Sequence, residues 1–167
     1  MKKIIIVLFA FSLLFIFSSK ENDIIIPNNA IRFRVVANSD SLEDQNEKLI
    51  IKQKIEKEVY NLIGNANSSL EVNNILESNL ENIDNIVKSY NVPYNINYGS
   101  NYFPTKNYKG VMYPAGNYDS LVITLGKGTG SNFWCVLFPP LCLLDNEKED
   151  VGEVEYKFYV KKLLDRF

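Results

Sequence analysis

The chain has 167 residues, with 18 lysines and arginines against 20 aspartates and glutamates, and it has no histidine. The missing imidazole excludes Ser-His-Asp and Cys-His catalysis and any metal site that needs a histidine ligand. A net charge of −2 provides no basic footprint for nucleic acid, which leaves a carboxylate enzyme, a binding or signalling protein, or a structural module.

Lys2 and Lys3 precede a run from Ile4 to Phe17 that only Ser12 interrupts, and the small residues Ser18 and Ser19 follow. A positive start, a short apolar run and small residues describe an export signal. The run, about 14 residues, is shorter than the ~20 that cross a bilayer. Residues 1–19 are therefore expected to direct export, either cleaved or kept as an anchor. Residues 20–167 are expected to form a single secreted domain, long enough to bury a core.

The lead from Glu21 to Asn29 contains Pro27, which argues against regular structure there. From Ile31 to Ala37 the pattern alternates: Ile31, Phe33 and Val35 point one way, Arg32 and Arg34 the other. This reads as a strand with one face inward. Asp40 with Glu43 makes a capping pattern for a helix from Ser41 to about Ile63, with Leu49, Ile55, Val59 and Leu62 as its apolar stripe and Gly64 as its stop. Ser68 with Glu71 repeats the pattern. Val72, Leu76, Leu80, Ile83, Val87 and Tyr90 then predict a second long helix.

From residue 91 to 144 only Lys106, Lys109, Asp119 and Lys127 carry charge, and aromatics, Gly and Pro are concentrated. Strands are expected over Tyr94–Tyr98, Leu121–Leu125 and Asn132–Phe138. Turns are expected at Gly99-Ser100, Pro114–Gly116 and Gly126–Gly130. After an acidic stretch beyond Asp145, a last amphipathic helix is expected over about Tyr156–Arg166, with Val160, Leu163 and Leu164 apolar. The order implies one α+β domain with two long helices packed on one face of a mainly antiparallel sheet, plus a C-terminal helix.

Four features bear on chemistry. Cys135 and Cys142, seven positions apart, favour a disulfide outside a reducing cytosol; two buried thiols are the alternative, and two thiolates without suitable partners make no metal site. A bridge would close a short loop and contribute roughly 2–3 kcal/mol. A turn centred between Phe138 and Pro139 places that proline where a type VI turn requires a cis bond. Asp40 and Asp44, with Asn38, Ser39 and Gln45 around them, are either paired carboxylates or a helix cap with an acid at the dipole's positive end.

Gly126-Lys-Gly-Thr-Gly130 lacks the spacing of a phosphate loop and reads as a hairpin turn. Tyr113, Pro114, Tyr118, Trp134, Phe138, Pro139 and Pro140 form an aromatic and proline collection, readable either as core or as an exposed recognition patch. No residue stands out as catalytic, and no cofactor or small-molecule substrate is expected.

Three stretches carry a resemblance: Ile31-Arg-Phe-Arg-Val-Val-Ala-Asn-Ser-Asp40-Ser41 continuing to Asp44-Gln45, Tyr113-Pro-Ala-Gly-Asn-Tyr118, and Gly126-Lys-Gly-Thr-Gly-Ser-Asn132 with Trp134-Cys-Val-Leu-Phe-Pro-Pro-Leu-Cys142. In order and spacing the chain resembles the stage II sporulation protein R family, with Phe133 where the family usually has a second tryptophan. The resemblance implies a protein made in the forespore and secreted into the space between the two membranes. There it would activate a membrane-embedded aspartic protease that processes pro-sigma-E. It implies a contact surface at the Trp134–Cys142 loop with Tyr113 to Tyr118, or at the Asn38–Gln45 corner. The rival expectation is a secreted carboxylate hydrolase acting on cell-wall glycan, with Asp40 and Asp44 as acid and base.

Overall fold

The computed structural model describes residues 24–142 and 152–167. The expected export signal, and the acidic stretch as far as residue 151, lie outside the described residues. Among those described, strands β2 (Ile31–Val36), β3 (Tyr94–Phe103), β6 (Gly116–Leu125) and β7 (Asn132–Phe138) form a sheet in the order β3-β6-β2-β7. β2 runs parallel to β6, and the other two pairings are antiparallel. A second sheet joins β1 (Ile24–Ile25), β5 (Val111–Tyr113) and β4 (Lys106–Tyr108) in the order β1-β5-β4. The α+β class and the mainly antiparallel main sheet agree with expectation.

Three local expectations are corrected. The lead before Pro27 does form structure: Ile24 and Ile25 pair with β5, and the Ile26 amide donates to Met112 O at 3.0 Å, so the proline follows the pairing instead of blocking it. No turn occurs at Gly99-Ser100. β3 pairs without a break along β6, and Gly99 accommodates a φ of +147° within the strand because it has no Cβ. Nor is Gly126–Gly130 a hairpin turn, because β6 and β7 are not neighbours; the segment crosses the C-terminal end of β2, which lies between them.

Helix α1 (Leu42–Ile63) starts one residue later than the capping pattern suggested, because the Ser41 hydroxyl, not Asp40, accepts the Asp44 amide at 3.2 Å. Its buried row is Ile51, Ile55, Val59 and Ile63, while Leu49 is 44 % exposed. The expected single second helix is two: α2 (Ser69–Ser78) and α3 (Leu80–Lys88). At Asn79 the backbone leaves helical geometry and the side chain donates to Ile75 O at 2.8 Å, the local competition that makes asparagine a helix breaker. The cap at Ser68 is as expected. α4 (Glu153–Leu164) begins three residues before the expected start.

The helix-facing side of the main sheet buries Phe33, Val35, Leu121, Ile123, Cys135 and Leu137 against Ile51, Ile55, Val72, Leu76, Ile83 and Val87. At about 2 kcal/mol per fully buried aliphatic side chain, this cluster is the main source of stability. A separate cluster joins Ile26, Val111, Tyr113 and Val136 to Tyr156 and Val160 of α4. The face of β2 that carries Arg32 and Arg34 is therefore covered as well, and the expectation of a polar outer face is corrected. Arg32 is 1 % exposed. The Phe138–Pro139 bond is cis, and Cys135 and Cys142 form the disulfide.

Candidate functional site

The strand β2 runs into Asn38-Ser39-Asp40, and the 126–131 segment lies across that corner. Asn38 Oδ1 accepts the Lys127 amide at 2.9 Å, Asn38 O accepts both the Thr129 amide and its hydroxyl, and Ala37 O accepts the Gly130 amide. Asp40 Oδ1 accepts the Ser131 amide at 2.6 Å. A Cβ on Gly130 would run into the Ser39 backbone, and one on Gly126 into the Asn38 side chain. The glycines are there because two backbones touch, not to cradle a phosphate.

The remaining polar groups of the corner close on one another. Asp44 accepts from Asn38 Nδ2 at 2.9 Å and from the Ser39 hydroxyl. Gln45 Nε2 donates to Ser39 O at 2.9 Å, and Lys48 donates to Ser131 O at 3.0 Å. Hydrogen bonds from Ser131 hold the Asp40 carboxyl below its usual range, and those from Ser39 do the same for Asp44. Burial, then the charges of Asp44 and Glu43, push Glu47 up. With both aspartates lowered, neither keeps the proton that a glycosidase acid must donate near neutrality. Thus Asn38, Ser39, Asp40, Asp44 and Gln45 do come together, as a clasp between the first and third motif stretches.

The aromatic collection divides. Phe138 is buried in the helix-side core, reached through the register shift between Ile31 and Arg32. Its ring meets Phe167 at 4.9 Å, Pro139 is buried, and Pro140 is half-buried. Tyr113, Tyr118 and Trp134 lie on the opposite face around the two arginines. The Arg32 guanidinium sits 4.7 Å from the Phe103 ring centre, 5.0 Å from Tyr118 and 5.3 Å from Tyr113. Arg34 lies 5.1 Å from Trp134. The Tyr118 hydroxyl donates to Pro114 O at 2.9 Å. Burial lowers the Arg32 pKa, and Tyr118 and Tyr113 partly oppose that. Arg32 Nε and Nη1 are buried with no hydrogen-bond acceptor among the described residues.

Beside this cluster opens a cavity of about 570 Å³, walled by Arg32, Lys52, Lys106, Tyr108, Phe133 and Trp134 among others. Arg32, Lys106, Tyr108 and Phe103 escaped the sequence reading. The available signal was a pair of arginines inside an otherwise apolar strand, in a chain whose segment from residue 91 to 144 is rich in rings and holds one acid, Asp119. The Glu56 carboxylate lies close to both disulfide sulfurs and is bridged by Lys52 at 3.0 Å; with the sulfurs bonded to each other, this trio offers no metal-binding thiolates. No helix among the described residues is long and apolar enough to cross a membrane.

The family model for stage II sporulation protein R matches residues 27–148. The chain is 40% identical over 151 residues to the stage II sporulation protein R of Bacillus subtilis (strain 168), an alignment that spans 86% of this chain and 67% of that protein. No solved structure matches it.

Proposed function

Because the chain belongs to the stage II sporulation protein R family, we propose that it acts as a secreted signal of endospore formation. In this reading it crosses the forespore membrane under the direction of residues 1–19. It then binds the extracytoplasmic part of a membrane-embedded aspartic protease, and the protease cleaves pro-sigma-E. Activation of this kind requires that the signal bind the active protease conformation better than the inactive one. The family match, which supports a role in sporulation, carries the proposal. Supporting it, the two aspartates at the corner are both held ionised, as befits a structural clasp, and the chain has no histidine.

The contact surface we favour is the side of the molecule around Trp134 and Tyr113. The Asn38–Gln45 corner spends its polar groups on the 126–131 segment, whereas Trp134 is half-buried at a cavity wall with room beside it. The test is co-production of protease, pro-sigma-E and this protein. Precursor processing should depend on its presence, and equal processing without it would sink the proposal. Trp134→Ala should reduce processing while circular dichroism reports an intact fold; full activity would remove Trp134 from the contact.

A further inference from the structure

We infer that the cavity between β2, β4, β7 and α1 is a receptor for a carboxylate carried on an apolar or aromatic stem. Three cations line it, and no Asp or Glu does so among the described residues. Lys52 is bridged to Glu56, which removes it from the count. Arg32 and Lys106 have no acidic partner among the described residues.

Arg32 is the more telling of the two. A guanidinium withdrawn from water is retained at a cost unless its donors are met, and two of its nitrogens have no acceptor among the described residues. The surrounding rings stabilise its charge but leave those donors unmet. Lys106 stands exposed on the short strand β4, with its ammonium 5.4 Å from the Trp134 ring centre. The rest of the wall combines mainly rings, from Tyr108, Phe133 and Trp134, with amides, from Gln53, Asn107 and Asn132. Cations without acidic partners in a cavity that also offers ring surfaces select an anion with a flat or apolar body, because the rings reward contact area and the cations reward charge. A free carboxylic acid and an acidic residue on a peptide share that chemistry.

This inference stands apart from the protease reading and is tested without it. Trp134 is the single tryptophan of the chain and lies in the cavity wall, so its fluorescence reports occupancy. The purified full-length chain is titrated with phenylacetate, with 2-phenylethanol, and with an acetylated Phe-Asp dipeptide amide beside its Phe-Asn counterpart. We expect saturable changes with the two acids and weak or no response to the neutral partners. A tighter dipeptide marks the natural source as a peptide, and tighter phenylacetate marks it as a small acid; both support a carboxylate receptor.

Lys106→Gln, on an exposed position that leaves the fold intact, should weaken binding roughly tenfold, the scale of one lost charge-assisted hydrogen bond. Arg32→Met should weaken it further, with circular dichroism confirming the fold. Equal binding of 2-phenylethanol, absence of any saturable response, or unchanged affinity in Lys106→Gln would overturn the assignment.

Discussion

Replacing Arg32 with methionine should leave the protein as stable or make it more so, although Arg32 is among the most buried side chains of the fold. Two of its nitrogens lack acceptors among the described residues, and each unmet donor costs about 1–3 kcal/mol. Against this, rings at 4.7, 5.0 and 5.3 Å return together roughly 2–4 kcal/mol. Methionine keeps most of the stem's apolar contact and needs no hydrogen bond. The balance predicts a gain of about 0–2 kcal/mol, consistent with buried charges being replaced at no loss in other proteins. For a domain of this size that is a rise in Tm of up to about 7 °C. Differential scanning calorimetry of the two proteins at equal pH and salt measures it. A clear fall in Tm would refute the reasoning, because the rings would then supply more than the donors cost.

Asn38→Ala deprives both the Lys127 amide and Asp44 of a partner, so amides 126–131 should exchange with deuterium faster and Tm should fall. Asp40 and Asp44 have folded pKa values below their ordinary ones, so their contribution is complete above the ordinary carboxylate range and is lost as pH drops through about 4 and below. Thermal melts between pH 2 and 7 should follow that fall, and Asp44→Asn should flatten it by losing stability at neutral pH rather than in acid. Reducing the buried Cys135–Cys142 bridge, or replacing both residues with serine, should cost about 2–3 kcal/mol, read as a lower urea midpoint. Leu76→Ala, in the helix-side core, should cost about 3–5 kcal/mol in the same assay.

Periodicity made β2 and α1 legible, because β2 alternates and α1 carries an i, i+4 row, whereas β7 after Asn132 is a continuous apolar run with no alternation. Periodicity failed at Arg32 and Arg34, since alternation separates two faces without saying what covers the polar one. The helix break at Asn79 escaped the pattern because the apolar spacing runs on either side of it; only the side chain's bond to Ile75 O reveals the break. Asp40 was the better-looking cap by composition, yet Ser41 sits one position nearer the first turn and Asp40 is drawn away by the Ser131 amide. The Gly126–Gly130 segment was read as a hairpin because strands adjacent in sequence usually pair. β2 lies between them instead, and no local signal records a strand inserted from residues 31–36. The short β4 and β5 carry too few residues for a period to show.

That insertion governs how the chain acquires its shape. The corner after β2 bonds to residues 89 and 91 positions further on, and β2 finds both sheet neighbours only in the last third of the molecule. Loop closure over such distances comes before the contacts that reward it, so folding is expected to be slow for the domain's size. A chain interrupted before Gly126 has β2 with one edge bare and no clasp at its end. The protein therefore completes its main sheet late, and truncated products should be read as lacking the fold.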